Sequence, residues 1–136
     1  MKQKVFKYTV EYQYQWFYAK KGGRAVNGDF IALIEESHAL NADLFSLTRL
    51  QLLAGLSDLG RDGATYSELK SSLKLTDGAL YANLKVLEDM GYLKVNEVAL
   101  EGKTNQAYFV TPEGIAAWSH IKNWLKKLAE FGGKTK

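Results

Sequence analysis

From Phe6 to Tyr18 the chain alternates. Phe6, Tyr8, Val10, Tyr12, Tyr14, Trp16 and Tyr18 fall on even positions, and Lys7, Thr9, Glu11, Gln13, Gln15 and Phe17 lie between them. A period of two with aromatic and β-branched residues suits a pleated, half-buried surface, so the run reads as strand-like and KKGG at 20–23 as its turn. A helix is also compatible, because the run holds no breaker. After NGD the period lengthens. Phe30, Leu33, Ile34 and Leu40 share one side of a helix, Glu35 and Glu36 lie mostly outside, and Asp29 is placed to cap it. Leu47, Leu50, Leu53, Leu56 and Leu59 then follow near-helical spacing as far as Gly60, and RDGA at 61–64 reads as a loop.

Thr65 stands three residues before Glu68, the spacing of a capping box, and Leu69 and Leu73 share a face of the short helix it starts. Thr76 caps the next helix, which stops where Gly91 follows Met90. Two helices joined by so short a turn have the helix-turn-helix outline. YLKVNEVAL and QAYFVT are β-rich runs around EGKTN, a hairpin with a polar, partly basic tip, and Pro112 ends it by starting a helix. On this last helix Trp118, Ile121, Trp124, Leu125, Leu128 and Phe131 form an apolar arc of about 160°, with Lys122, Lys126, Lys127 and Glu130 opposite.

This order predicts a mainly α chain with a small β-hairpin wing (α+β), a winged helix-turn-helix. It carries an aromatic extension over 1–27, a DNA-binding domain with its leading helix over 28–111, and a closing helix and tail over 112–136. The segments LFSLTRLQLLAGL, YSELKSSLKLTDGALYANLKVLEDMGYLKV and TNQAYFVTPEGIAAW resemble the three blocks of prokaryotic winged-helix transcriptional regulators related to the MarR and ArsR families. The likeness runs from about residue 44 to 118. It implies a homodimer on pseudo-palindromic double-stranded DNA. Residues 1–27 match no block of that family, and the cysteine sites of many metal-sensing relatives are missing.

Charge alone does not settle the partner. Residues 1–27 carry six Lys/Arg against one Glu, residues 28–99 six against eleven acids, and residues 100–136 six against three, for a net +3. The ends permit a polyanion and the middle opposes it, so local placement decides. With no cysteine and two separated histidines, the chain offers no disulfide framework, thiolate site or evident metal set, and no cofactor is expected. No apolar run is long enough for a membrane span, which points to a cytoplasmic protein.

In the helix from Thr76, Leu80, Leu84, Leu87 and Met90 fall within about 120° and read as core. Gly78, Tyr81, Ala82 and Lys85 fall outside. The small residues admit the backbone to the groove, Tyr81 offers a donor and a face for a thymine methyl, and Lys85 reaches a phosphate or a guanine. Asp77 is either a cap favoured by the helix dipole or an acceptor for cytosine N4, the cap being the stronger reading. Phosphate contacts then fall to Ser67, Lys70 and Lys74 on the preceding helix and turn and to Lys94, Lys103, Thr104 and Asn105 in the wing, with Glu35, Glu36, Asp58, Asp62 and Glu88 mostly elsewhere. Arg49 either approaches the DNA backbone, as the resemblance implies, or pairs locally with an acid such as Asp43.

The closing helix and the helix over 30–40 supply the expected dimer interface: Phe30, Ile34, Trp118, Ile121, Leu125 and Leu128. The N-terminal run has three readings: a structural strand, a single-strand binding arm with Lys4, Lys7, Lys20, Lys21 and Arg24, or the wall of a pocket for an unidentified apolar effector. Two alternatives to a regulator stay open, a winged-helix protein-interaction module and a single-strand nucleic-acid binder. An enzyme is not expected. GKT occurs at 102–104 and 133–135, but a phosphate loop needs glycine where Glu97 and Leu128 stand, and His38 and His120 have no partner spacing.

Overall fold

The structure, a computed structural model, describes residues 27–132. The strand-like reading of 6–18 and the tail over 133–136 lie outside the described residues. Helix α1 (Gly28–Ser37) is followed by a 3-10 turn (Ala42–Leu44), α2 (Leu47–Leu59), a second 3-10 turn (Gly60–Asp62) and the short strand β1 (Ala64–Thr65). Then come α3 (Tyr66–Leu73), α4 (Asp77–Asp89), β2 (Leu93–Leu100), β3 (Lys103–Val110) and α5 (Pro112–Leu128). The described residues divide into two compact units, 41–121 and 27–40 with 122–132.

In the unit over 41–121, leucines of the helices make the core. Leu52, Leu53 and Leu56 of α2 and Leu80, Leu84 and Leu87 of α4 are each at most 1% exposed, so these six side chains set the depth at which α4 is seated in the core. Burying each contributes roughly 1.5–3 kcal/mol. The expected leucine row of α2 needs correction: Leu47 and Leu59 are exposed, at 75% and 43%, and Leu52 takes a core place instead. Each three-residue step falls short of a full turn by about 60°, so a row built from such steps rotates off the buried face.

The sheet is antiparallel in the order β1-β3-β2, with Thr65 opposite Ala107 and the hairpin in register from Leu93↔Val110 to Leu100↔Lys103. The loop expected at 61–64 therefore ends in a strand, since Ala64 pairs with Tyr108. Gly63 makes that entry at φ +61°, where an added Cβ would meet the Tyr108 carbonyl at 2.7 Å. Glu101 and Gly102 turn the hairpin at φ +52° and +77°, the two positive values of a primed two-residue turn. The polar tip is thus shorter than expected, and Lys103, Thr104 and Asn105 belong to β3. Beyond β3, the Thr111 hydroxyl accepts from the Gly114 amide at 3.0 Å and donates to the Gly91 carbonyl at 2.6 Å. Gly114 is buried against the Tyr92 carbonyl, a closeness that excludes any larger residue.

The second unit joins α1 to the end of α5. Trp124 Nε1 donates to the Leu33 carbonyl at 2.9 Å, Lys127 Nζ reaches both Glu36 oxygens at 3.0 and 3.2 Å, and the Phe30 and Phe131 rings meet edge-on at 5.2 Å. The cap of α1 is Asn27, whose side chain accepts from the Asp29 amide at 2.7 Å; Asp29 sits inside the first turn instead of at the expected cap.

Candidate nucleic-acid interface

Local hydrogen bonds set the two helices of the motif. The Thr65 hydroxyl accepts from the Glu68 amide at 3.1 Å while Glu68 Oε1 accepts from the Thr65 amide at 2.9 Å, which satisfies two donors at the start of α3. Lys74 ends α3 in the left-handed region at φ +57°, its amide donating to the Lys70 carbonyl, and so reverses the chain within a few residues. Thr76 then caps α4 by accepting from the Ala79 amide at 3.2 Å. With Leu80, Leu84 and Leu87 buried, Gly78, Tyr81, Ala82 and Lys85 face outward, and Tyr81 is 58% exposed.

Asp77 takes a part the sequence did not suggest. Thr76 is the cap, and the Asp77 carboxylate pairs with Lys70 Nζ at 3.1 Å. The Tyr66 hydroxyl, from the first turn of α3, donates to the Asp77 carbonyl at 3.1 Å and lies 3.3 Å from its carboxylate. The hydrogen bond and charge of Lys70 hold the Asp77 carboxyl below its ordinary value, while partial desolvation and the Asp77 charge push the Tyr66 phenol up. Lys85 is likewise engaged: its ammonium lies 3.3 Å from Asp89, and this hydrogen bond raises its pKa. Two lysines expected to meet DNA directly are therefore paired within the chain, Lys70 across the turn and Lys85 along α4.

Arg49 falls between its two readings. Its Nη1 donates to the backbone carbonyl of Asp43 at 2.6 Å, not to the carboxylate, and its Nε donates to Asn83 Oδ1 at 3.0 Å. Asn83 also donates to the Ala79 carbonyl at 2.8 Å. Among the acids expected on other elements, Glu88 lies on α4 itself, half-buried. Burial raises the Tyr108 phenol, and the Glu88 charge adds to that rise.

On the wing, Lys94 pairs with Phe109, Asn105 with Val98 and Lys103 with Leu100. The alternation of an antiparallel ladder puts Lys94, Lys103 and Asn105 on one face and Thr104 on the other. Lys94, Lys103, Lys74 and Ser67 are exposed. Tyr66 and Asn83 are the residues of this surface that the sequence reading missed; the Tyr66 hydroxyl reaches Asp77 of α4 and Asn83 accepts from Arg49 of α2, with no motif to announce either.

Of the residues expected at a dimer contact, Ile34 and Leu128 are exposed at 37% and 36%, and Phe30, Trp118 and Leu125 are half-buried. Ile121 is 1% exposed within its own chain and belongs to the core, not to a subunit surface. Among the described residues, no cluster of His, Asp or Glu is grouped to hold a metal, and no helix is long and apolar enough to cross a membrane.

A reading helix backed by leucines, a short supporting helix and a two-stranded wing define a winged-helix protein. The chain belongs to the winged helix DNA-binding domain family, whose model matches residues 48–129, more than half of its length. It is 29% identical over 86 residues to an uncharacterized protein of Methanocaldococcus jannaschii, covering 63% of this chain and 88% of that one. A transcriptional regulator homologue from Pyrococcus horikoshii OT3 has the same fold, with a TM-score of 0.63 at 23% identity over 73% of this chain and 95% of that one. So does MepR of S. aureus, solved in complex with DNA, with a TM-score of 0.57 at 13% identity over 88% of this chain and 86% of its own. The winged-helix resemblance of the sequence is thereby borne out, and a DNA-binding family agrees with the expectation that the chain is not an enzyme.

Proposed function

We propose that this protein is a cytoplasmic, homodimeric transcriptional regulator that binds specific sites on double-stranded DNA, with α4 in the major groove and the β2–β3 wing against the flanking backbone or minor groove. The observation that carries this reading is the outer face of α4. Gly78 and Ala82 leave its backbone bare, and Tyr81 stands 58% exposed between them on a helix anchored by buried leucines. That combination suits close approach to base edges, because an entering helix reads with its N-terminal half and needs a rigid support. Lys74, Lys94, Lys103 and Ser67 supply phosphate contacts around it, and Asn105, on the same wing face as Lys94 and Lys103, adds a neutral donor. The exposed apolar residues Ile34 and Leu128, with half-buried Leu125, supply the two-fold contact.

Selection of bound duplexes from a random pool tests the reading. One enriched palindromic motif, bound at about 150 mM salt, is expected. Binding confined to low salt without sequence preference would overturn it and favour a protein-interaction module or a single-strand binder.

A further inference from the structure

The side chains at the centre of the proposed DNA face are already paired. Lys70 and Asp77 meet at 3.1 Å with side chains 44% and 71% exposed, so water reaches both and the lysine is free to swing away. Asp77 has less freedom. It starts α4, and the Tyr66 hydroxyl donates to its carbonyl at 3.1 Å while lying 3.3 Å from its carboxylate. One partner is thus held and the other mobile. An exposed pair of this kind adds little to stability, yet it sits where a phosphate would meet a lysine and a helix N-terminus.

We propose that Asp77 stands in for a DNA phosphate in the free protein, and that Lys70 passes from Asp77 to the duplex backbone on binding. This rests on the reading of α4 as the DNA-facing helix. Asp77 then remains as an uncompensated negative charge at the interface. Every duplex meets that charge, so Asp77 lowers affinity for matched and unmatched sites alike. Asp77 is therefore a positioning residue that holds Lys70 in the free protein and weakens binding to every duplex.

The exchange has a signature in ion counting. When Lys70 reaches a phosphate in the wild-type protein, the Asp77 carboxylate beside it offsets the lysine charge, so the pair brings no net charge to the duplex and adds almost nothing to the salt dependence. In Asp77→Asn the lysine charge is no longer offset, and the slope of log affinity against log salt steepens by about 0.9. Between 50 and 200 mM salt this lowers the advantage of the variant over the wild type about 3.5-fold.

Duplex binding across a salt series, on a selected site and on a scrambled one, tests the proposal with wild type, Asp77→Asn, Lys70→Gln, the double variant and Asp77→Glu. The expected result for Asp77→Asn is a steeper slope and tighter binding to both sites, with the ratio of selected to scrambled affinity unchanged. Lys70→Gln in that background returns the slope to the wild-type value, and Asp77→Glu, which keeps the carboxylate, leaves the slope at that value. Equal slopes for wild type and Asp77→Asn, with both folded by circular dichroism, would overturn the exchange while leaving the DNA reading intact. A folded wild type that binds no duplex would remove both.

Discussion

Arg49 Nε donates to Asn83 Oδ1 at 3.0 Å, a link between α2 and the outer half of α4. The same guanidinium donates to the Asp43 carbonyl at 2.6 Å, so one side chain joins the 3-10 turn, α2 and α4. Leucines fix the depth of α4 in the core, but apolar contacts are non-directional, and a helix resting on them retains freedom to roll. A fork of directed hydrogen bonds removes that freedom. Tyr81 lies two residues from Asn83, so the orientation of the proposed reading side chain depends on this bond.

Replacing Asn83 by Ala leaves the guanidinium short of one acceptor while keeping helix propensity high. Half-exposed hydrogen bonds to charged groups suggest a loss of about 1 kcal/mol, read from urea unfolding. Duplex affinity is expected to fall by more than this stability change explains, because α4 also rolls. Affinity equal to wild type in the folded variant would show that the leucines alone orient the helix.

Two glycines separate backbone need from chance. Gly63 has φ +61°, and a Cβ there would meet the Phe109 ring at 2.5 Å and the Tyr108 carbonyl at 2.7 Å, so Gly63→Ala should cost about 2 kcal/mol or more by breaking the β1–β3 pairing. Gly55 lies inside α2 with nothing within 4 Å of where a Cβ would stand, and Gly55→Ala should stabilise by about 0.5–1 kcal/mol. Equal thermal midpoints for the two variants would rule out this difference in backbone constraint.

The features legible in the sequence are those whose partners are close along the chain. The Thr65–Glu68 capping box, the Thr76 cap and the glycine after Met90 each depend on three or four residues, and all stand where expected. Strand β1 was not legible, because two residues carry no period and their partners are Ala107 and Tyr108 on β3. The bond between Arg49 and Asn83 spans 34 positions, and that between Tyr66 and Asp77 spans 11, so neither leaves a local pattern. Asp77 looked like a cap because a carboxylate in a first turn usually suits the helix dipole. Only the three-dimensional path of the turn brings Lys70 and Tyr66 to it.

Asp77 also sets an acid dependence of stability. Its folded pKa lies below the unfolded value of 3.8, chiefly through the Lys70 hydrogen bond, so between the two values the unfolded chain binds more protons. Its contribution is present above about pH 4 and is lost as pH falls through the folded pKa. Asp77→Asn should accordingly flatten the acid limb of stability against pH while leaving the limb above neutrality unchanged. Superimposable acid limbs would mean that Lys70 does not hold this carboxylate in solution.

Leu128 and Ile34 belong to the same compact unit and are exposed, so a charge at either disturbs the proposed subunit contact without opening the core. Leu128→Glu is expected to give monomers in light scattering with the thermal midpoint of the separated chains little changed, and to weaken duplex binding through loss of the second half-site. A dimer that persists in Leu128→Glu and in Ile34→Glu would move the interface to another surface.

Lys94 and Lys103 share a face of the wing, and the tight turn at Glu101 and Gly102 holds Lys103 at the start of β3, opposite Leu100. A lysine on a paired strand loses less freedom on meeting a phosphate than one in a loop, so its contact should register fully in the salt dependence. Lys103→Ala should weaken binding to all duplexes alike and reduce the slope of log affinity against log salt by about one. Thr104→Val, on the opposite face, should leave that slope unchanged. The contrast tests the register of the hairpin on DNA: if Thr104→Val weakens binding and Lys103→Ala does not, the other face of the wing meets the backbone.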